Sequence, residues 1–375
     1  MKSKPNRNLR IAVLGCGYWG GNYIRVFNEL AGSEVAAVCD QRPQRLKAFQ
    51  DVCPDALFTT DLDEVLRADV DAIVIAVQAS AHFELARKCL DAGKHVLVEK
   101  PLTTVAEQAH ELTEQADGRG LTLMVGHTFI FNAAVQRLKR YASEGELGDI
   151  YYLYSKRTNL GPIRSDVNAL WDLASHDISI FNHLLDDVPE WVSAVGSCVL
   201  RNDREDVGFL SLGYSNGIVG HIHVSWADPN KARELVIVGS EKRALFNDLE
   251  GVEKIRLFEK SVRAVSDSPQ TFGEAHFEMR DGPIVSPSLP TAEPLKSQCS
   301  HFLDCIALGR RSISSGVEGE DVIHVLEAVD RSLAEHGGSV AVRSPRAGAG
   351  NRNSLAVARP IATGGYVDGY RRAVS

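Results

Sequence analysis

The segment that most restricts the fold of this chain is Gly15–Gly20 (GCGYWG), a GxGxxG pattern with an apolar run directly before it. That run, Leu9–Leu14, has the continuous hydrophobicity of a strand buried on both faces. A glycine-rich turn between a strand and a helix begins a βαβ unit that binds a dinucleotide, because the glycines admit a pyrophosphate close to the free N–H groups of the helix. A second apolar run, Glu34–Cys39, ends directly before Asp40, where this fold places an acid for a ribose.

Strands and helices alternate over the first part of the chain. Further buried strands are predicted at Asp71–Val77, His95–Val98 and Leu121–Val125, with helices such as Ser80–Ala92 between them. This order predicts an α/β fold of the Rossmann type, with a doubly wound parallel sheet, for residues 1–126.

The pattern changes after Gly126. Longer segments with alternating apolar residues follow, among them Asp149–Lys156 and Ile218–Trp226. We therefore predict that residues 127–340 form a second, α+β domain with a large, mostly antiparallel sheet. Residues 341–375 are rich in Gly, Ala and Arg without apolar periodicity, which predicts a disordered basic tail.

The overall composition excludes several classes of protein. The formal charge of −8 provides no basic field for nucleic acid, and no apolar run reaches the ~18 residues that a membrane helix needs. The seven cysteines contain no CxxC pair, which argues against disulfides and a thiolate zinc site and predicts a reducing, cytoplasmic compartment. His221 and His223 share a strand face without an acid at ligand spacing, so we assign them to packing or a subunit interface and predict no metal site.

Asp40 bears on the choice of dinucleotide. A carboxylate at this position accepts hydrogen bonds from ribose hydroxyls and repels a 2′-phosphate, which favours NAD over NADP. Arg42 argues the other way, since a guanidinium two residues further on can pair with that phosphate. The expected cofactor is NAD, with NADP as the alternative.

Two further motifs carry chemistry. Glu99-Lys100-Pro101 ends a strand at the sheet edge where ligands bind in this fold, and its lysine can donate to a substrate hydroxyl or a ribose. Asp172 and His176 are four residues apart in a predicted helix, so the carboxylate can fix the tautomer of the imidazole and suit it to act as a general base. Each motif, taken alone, also fits a structural role. The first could be a strand end followed by a proline at a helix start, and the second a helix-capping aspartate with a histidine whose hydrogen bonds are made within the fold.

Taken in order over residues 9–336, these motifs resemble the glucose–fructose oxidoreductase / inositol dehydrogenase / MocA (Gfo/Idh/MocA) family of NAD(P)-dependent sugar dehydrogenases. The segments Ala76–His82, Lys94–Pro101 (KHVLVEKP) and Ser225–Arg233 (SWADPNKAR) also match the family pattern. The chain departs from that pattern at Val77-Gln78, where Thr-Pro is frequent, so its contacts along the cofactor are expected to differ there.

The resemblance implies an oxidoreductase that moves hydride between a sugar carbon and nicotinamide. It implies that Lys100 bridges the substrate hydroxyl and the nicotinamide ribose, that His176 takes the hydroxyl proton, and that Asp172 orients His176. The cofactor-binding residues expected on this basis are Gly15, Gly17, Tyr18, Trp19, Gly20, Asp40, Arg42, Ala76, His82, Glu99 and Lys100.

The segment from Arg157 to Arg164 is expected to form a loop over the site. Its two arginines can bind a phosphate or carboxylate bidentately, and Asn168 can meet sugar hydroxyls. These residues favour a nucleotide-activated sugar, and similarity of this region to members from surface-polysaccharide biosynthesis implies oxidation of the C3 hydroxyl to a ketone. The expected substrate-binding residues are Lys100, Arg157, Arg164, Asn168, Asp172 and His176.

Two other functions stay open. An inositol or cyclitol dehydrogenase would also suit the pair Asp172 and His176. A catalytically inactive dinucleotide-sensing regulator is the alternative of another class, against which the presence of Lys100 and His176 and the absence of a recognisable DNA-reading motif argue. The family further implies a homodimer or homotetramer, with a small-molecule substrate and no nucleic-acid or membrane partner.

Overall fold

The protein is described by a computed structural model over residues 7–161, 163–164, 166–200, 203–264 and 277–348. Within these ranges, no helix is both long and apolar enough to cross a bilayer.

The first half of the chain forms a six-stranded sheet with strands in the order β3-β2-β1-β4-β5-β6, all parallel. This confirms the predicted doubly wound α/β fold. Its strands are almost wholly apolar, as burial by helices on both faces requires. The strands are β1 Leu9–Leu14, β2 Ser33–Cys39, β3 Leu57–Thr59, β4 Ala72–Ile75, β5 His95–Glu99 and β6 Leu123–Gly126. The helices are α1 Tyr18–Glu29, α2 Pro43–Lys47, α3 Leu62–Arg67, α4 His82–Asp91 and α5 Ala106–Arg119.

The second half forms a nine-stranded sheet in the order β16-β13-β12-β11-β7-β10-β9-β8-β17, antiparallel except between β7 and β10. This confirms the predicted large, mostly antiparallel sheet. The helices are α6 Ala133–Ser143, α7 Ser175–Leu185, α8 Pro294–Leu308 and α9 Gly316–Ala334. The strands are β7 Ile150–Leu160, β8 Trp191–Ser197, β9 Val207–Gly213, β10 Val219–Ser225, β11 Ala227–Gly239, β12 Arg243–Asn247, β13 Ile255–Phe258, β14 Ser261–Ala264, β15 Phe277–Arg280, β16 Ile284–Val285 and β17 Val340–Ala341. Strands β14 and β15 pair with each other as a separate hairpin.

The last two helices return to the parallel sheet. Helix α8 packs against α1, and α9 packs against α5 and β6. Ser314, just before α9, donates its hydroxyl to the carbonyl of Val125 in β6. The two halves therefore share a packed interface. The carboxyl ends of β5 and β6 line the same cavity as β7 and β11, and the face of the antiparallel sheet on that side is called its inner face.

The predicted start of the basic tail at residue 341 is too early. Strand β17 pairs with β8, and beyond it Val342 and Ser344 are buried. The Arg346 guanidinium donates to Asp321 at 2.8 Å, which holds the chain against α9. Ion pairing and burial therefore extend the folded body to residue 348, and the predicted disorder of residues 349–375 lies outside the described residues.

Candidate active site

The loop between β1 and α1 is shaped by glycines. Gly15 has a φ of +91°, and a Cβ there would lie 2.6 Å from the Ala76 carbonyl oxygen. A Cβ on Gly20 would lie 1.7 Å from the Gly15 carbonyl oxygen. At Gly17, by contrast, a Cβ would meet only the tip of Arg45, at 3.8 Å. The loop is therefore tight against the protein at its two ends and open at its centre, which fits a pyrophosphate at the helix N-terminus.

Asp40 stands at the end of β2 as predicted. Its carboxylate accepts hydrogen bonds from the backbone N–H groups of Cys16 at 2.7 Å and Arg42 at 2.8 Å, which braces the glycine loop. The Arg42 side chain is exposed, whereas the Arg45 guanidinium lies 3.5 Å from Asp40. A carboxylate has acceptor sites beyond these contacts, so the site fits an NAD ribose. Sequence reasoning missed Arg45, although its place one helical turn after Arg42 was a usable signal.

His82 and Ala76 lie behind this loop. The His82 ring is buried, with Nδ1 2.7 Å from the Pro101 carbonyl oxygen and Nε2 3.3 Å from that of Val77. Burial lowers the pKa of His82. Because both ring nitrogens face backbone carbonyls, His82 joins the end of β4 to the turn after Lys100. Its contact with the cofactor stays a prediction.

A cavity of about 1000 Å³ lies between the carboxyl end of the parallel sheet and the inner face of the antiparallel sheet. The exposed Tyr18 and Trp19 side chains, in edge contact at 5.5 Å, line it beside the glycine loop. Its other lining groups that bear on chemistry are Glu99, Lys100, Thr128, Phe129, Arg157, Asn159, His176, Arg233, Asp248 and Lys254.

Lys100 is held by Asp172. The Lys100 ammonium donates to the carbonyl oxygen of Asp172 at 2.8 Å and to its carboxylate at 2.9 Å, and both side chains are largely buried. Burial alone would raise the pKa of Asp172, but Lys100 and Arg164 hold that pKa below its ordinary value. Trp226 donates to the other carboxylate oxygen at 3.3 Å. Asp172 is therefore a charged group that fixes the lysine.

The predicted contact between Asp172 and His176 is wrong. Residues 170–174 form a turn of π-helix before α7, so the four-residue spacing does not place the carboxylate on the imidazole. Within the described ranges the buried Nδ1 of His176 has no hydrogen-bond partner.

His176 lines the cavity with its ring against the edge of Phe129, at 4.9 Å between ring centroids. The pKa of His176 lies well below its ordinary value, first because burial of the ring disfavours the charged imidazolium. Nearby cationic or ionisable side chains lower this pKa further, namely Lys100, Arg157, His127 and Arg233. His127 is fully buried, and burial lowers the pKa of its ring to about 3. His176 is therefore neutral at physiological pH and able to accept a proton.

Glu99 is supported from the other half of the chain. The Tyr23 hydroxyl donates to its carboxylate at 2.7 Å, Gln298 on α8 donates to the Tyr23 oxygen at 2.9 Å, and Thr128 donates to Gln298 at 2.8 Å. Burial raises the pKa of Glu99. Tyr23 and Gln298 carry no motif, and their 275-residue separation left no sequence signal for this network.

The predicted loop from Arg157 to Arg164 is wrong at its start, because β7 continues to Leu160. Arg157 is buried there and donates to Asp177 at 2.7 and 3.2 Å. Arg164 donates to Asp166 at 2.9 Å and to Asp172 at 3.3 Å.

Asn168 is also placed differently from the prediction. Its amide donates to Glu205 at 2.8 Å and its carbonyl oxygen accepts from the Trp171 N–H at 2.9 Å, while the Trp171 indole donates to Asp330 at 3.0 Å. Asn168 thus caps the start of the helical segment that leads into α7, and neither it nor Arg164 lines the cavity. Within the described part of the chain, no group of three or more metal-ligating side chains occurs.

Comparison with family models agrees with this geometry. Residues 9–127 match the model described as the oxidoreductase family with an NAD-binding Rossmann fold. Residues 135–245 match the GFO/IDH/MocA C-terminal domain.

Individual relatives cover different shares of the chain. A UDP-N-acetylglucosamine 3-dehydrogenase of Acidithiobacillus ferrooxidans is 26% identical over 84% of this chain and 94% of its own. An inositol 2-dehydrogenase 2 of Saccharopolyspora erythraea is 32% identical over 58% of this chain and 66% of its own. In structure, the WlbA dehydrogenase of Bordetella pertussis, solved with NADH and UDP-GlcNAcA, has a TM-score of 0.72 at 22% identity over 89% of this chain and 99% of its own. The two matched domains and the geometry of the cavity lead to one conclusion: the chain belongs to the Gfo/Idh/MocA family and is an NAD-binding oxidoreductase.

Proposed function

We propose that this enzyme oxidises the C3 hydroxyl of a nucleotide-activated sugar to a ketone, with NAD as the acceptor. The observation that carries the proposal is that Lys100 and the neutral His176 line one large cavity, directly beside a glycine loop that fits a pyrophosphate. When bound, NAD supplies the acceptor for the hydride that leaves the carbinol carbon.

The residues of this chain have separate tasks in that reaction. His176 accepts the proton of the reacting hydroxyl, for which its lowered pKa keeps the ring deprotonated. Lys100, which Asp172 holds in place, donates a hydrogen bond to the hydroxyl oxygen. Glu99 and the loop Gly15–Gly20, with Asp40, hold the cofactor at the edge of the sheet.

The size and charge of the cavity favour a nucleotide sugar. A volume of about 1000 Å³ lies at the upper end of small-molecule sites, so a substrate larger than a cyclitol can enter beside the nicotinamide. Several cationic side chains line its sheet side. The Acidithiobacillus relative is named for oxidation of UDP-N-acetylglucosamine at position 3, which supports both the substrate class and the carbon.

A cyclitol dehydrogenase is the second candidate. The 32% identical inositol dehydrogenase supports it, over a smaller share of both chains. The regulator without activity is disfavoured because Lys100 and His176 line the same cavity.

The test is turnover of the purified full chain with NAD on UDP-N-acetylglucosamine, UDP-glucose, UDP-glucuronate and myo-inositol, followed as NADH absorbance. We expect a UDP-sugar to have the highest kcat/KM, and NMR of the product to place the ketone at C3. Turnover of inositol alone would select the second candidate. NAD binding without turnover of any of them would select the regulator.

Two cellular properties accompany the proposal. All seven cysteines are free thiols, which supports the predicted reducing cytoplasm. A homodimer or homotetramer through the open face of the nine-stranded sheet is supported by the exposed Tyr152, Phe209 and Val219 on that face. Light scattering on the purified chain tests the oligomeric state.

A further inference from the structure

The cations that line the cavity differ in how far their charge is already satisfied. Arg157 makes two short hydrogen bonds with Asp177, and both side chains are buried. Lys100 is held at 2.8 and 2.9 Å by Asp172. Neither side chain has its charge free for an anion.

Arg233 and Lys254 are in a different state. The Arg233 guanidinium and the Lys254 ammonium each lie 3.5 Å from a different oxygen of Asp248, to which Asn132 also donates at 3.1 Å. Two cations therefore share one carboxylate through long contacts, and their side chains are 40% and 32% exposed. Among the described residues, no other hydrogen bond uses the remaining N–H groups of Arg233.

The sheet also places like charges together at this point. Arg233 on β11 is directly opposite Arg157 on β7 in the antiparallel register. Both guanidiniums lie over the ring of Phe129, at 5.8 Å for Arg233 and 4.3 Å for Arg157. Like charges directly opposite each other destabilise a strand pair. Asp177 compensates the charge of Arg157, whereas Arg233 has only the long contact with Asp248 and the face of the Phe129 ring. An anion beside Arg233 would complete the compensation.

Other acids of the cavity are engaged elsewhere. Glu253 lies 3.5 Å from Arg256, and Glu293 lies 2.5 Å from Arg25. The pair Arg233 and Lys254 therefore forms a positively charged patch in the cavity wall.

This patch is close to the reacting centre. The Phe129 ring, over which the Arg233 guanidinium lies, is in edge contact with the His176 ring, with 4.9 Å between the ring centroids. A sugar ring at His176 thus places a group attached to it within reach of Arg233. In a nucleotide sugar that group is a phosphate, and a guanidinium with unused donors is the side chain best suited to bind it.

We propose that Arg233, assisted by Lys254, binds the diphosphate of the substrate and selects nucleotide-linked sugars over neutral ones. This inference rests on the proposed function. It assigns anion recognition to β11 and to Lys254, the residue directly before β13, in place of the Arg157–Arg164 segment.

Calorimetry with UDP on the NAD-saturated full chain tests the proposal independently of turnover. Arg233→Gln is expected to weaken UDP binding by about 10- to 100-fold, the range of a charged hydrogen bond, and Lys254→Gln by less. Arg243→Gln is the matched control, because Arg243 also lies over a phenylalanine, Phe258 at 4.8 Å, on the same sheet but outside the cavity. This control is expected to bind UDP like the wild type.

Further measurements separate this proposal from a structural effect and from the proposed function. Arg233→Gln should raise the KM for UDP-N-acetylglucosamine and leave that for N-acetylglucosamine unchanged, while Arg233→Lys restores part of the loss. UDP binding by Arg233→Gln and Lys254→Gln within two-fold of the wild type, in an enzyme that oxidises UDP-sugars, would overturn this inference alone. A defect seen only with UDP-glucuronate and not with UDP would also overturn it, because the anion bound would then be the sugar carboxylate. Oxidation of inositol and of no UDP-sugar would overturn the proposed function.

Discussion

The cofactor edge, formed by Gly15–Gly20 with Asp40, and the substrate wall, formed by Arg157, Arg233 and Asp248, face the same cavity but are built differently. The cofactor edge presents backbone N–H groups, and its shape depends on the absence of side chains at two glycines. The substrate wall presents paired charges, each set by a partner from another element. A side chain added at either of these glycines would clash with the backbone of the cofactor edge. In the substrate wall, by contrast, single charged side chains can be replaced one at a time.

The largest effect is expected at Gly20. An alanine there would bring its Cβ to 1.7 Å from the Gly15 carbonyl oxygen, so the loop must move. We expect Gly20→Ala to abolish NAD binding and to destabilise the fold by more than about 3 kcal/mol. Thermal unfolding and calorimetry with NAD measure both effects.

Gly118 provides the matched control. It lies in α5 with no atom within 4 Å of a Cβ. Gly118→Ala is expected to stabilise the fold by about 0.5 to 1 kcal/mol and to leave NAD affinity unchanged. An equal loss of NAD binding in both variants would contradict the conclusion that the missing side chain at Gly20 determines the conformation of the loop.

The next effect is expected at His176, on the other side of the cavity. His176→Ala removes the proposed base but touches no atom of the glycine loop, so kcat should fall by about 10²- to 10⁴-fold while the Kd for NAD stays the same. Because the pKa of His176 is lowered, the acidic limb of the wild-type kcat/KM profile should lie below the ordinary histidine range. A parallel loss of NAD affinity would show that His176 has a structural role.

The same titration connects His176 to the substrate wall. Arg233 is one of the positive charges that lower the pKa of His176, so Arg233→Gln should move the acidic limb to higher pH. Arg243→Gln should leave the limb where it is in the wild type. An unmoved limb in Arg233→Gln would show that the two groups are electrostatically independent.

A smaller effect is expected at Asp40. Asp40→Ser removes the negative charge that repels a 2′-phosphate and frees Arg45, 3.5 Å away, to attract one. The ratio of kcat/KM for NADP to that for NAD should rise by about 10- to 100-fold. The double variant with Arg45→Gln should lose much of this gain. An unchanged ratio would mean that Asp40 only braces the glycine loop through Cys16 and Arg42.

These contrasts explain which features the sequence could predict. The glycine loop is a contiguous segment, and Asp40 lies at the end of the next strand. The positions of both could therefore be predicted from the local sequence pattern and the family resemblance. Lys100 and His176 were predicted in the same way. The partner of Arg157 was not, because Asp177 meets it only once β7 runs on to Leu160 and α7 packs beside that strand.

A local irregularity explains another error. The π-helical turn at residues 170–174 rotates Asp172 away from His176 and onto Lys100, which is 72 residues distant. Helical spacing assumes a regular helix, so it could not show this change of partner. Pairings between distant charged residues require the tertiary structure.

The smallest effect is expected outside both regions, at Asp330 in α9. Both of its carboxylate oxygens accept the Trp171 indole N–H at 3.0 Å, and burial together with Glu205 and Glu327 raises the pKa of Asp330 from 3.8 to about 6. The folded state therefore binds this proton more tightly than the unfolded state does. The resulting stability is complete below pH 3.8 and is lost as the pH rises to about 6.

Asp330→Asn imitates the protonated acid and keeps an oxygen to accept from Trp171. Above pH 6 it should therefore raise the free energy of unfolding by about 1 to 2 kcal/mol, and below pH 4 it should change it little. Urea unfolding at pH 4 and pH 8 measures the difference, and Asp330→Ala, which loses the hydrogen bond, should destabilise at pH 4. A gain of equal size at both pH values would mean that the charge of Asp330 is not what costs stability.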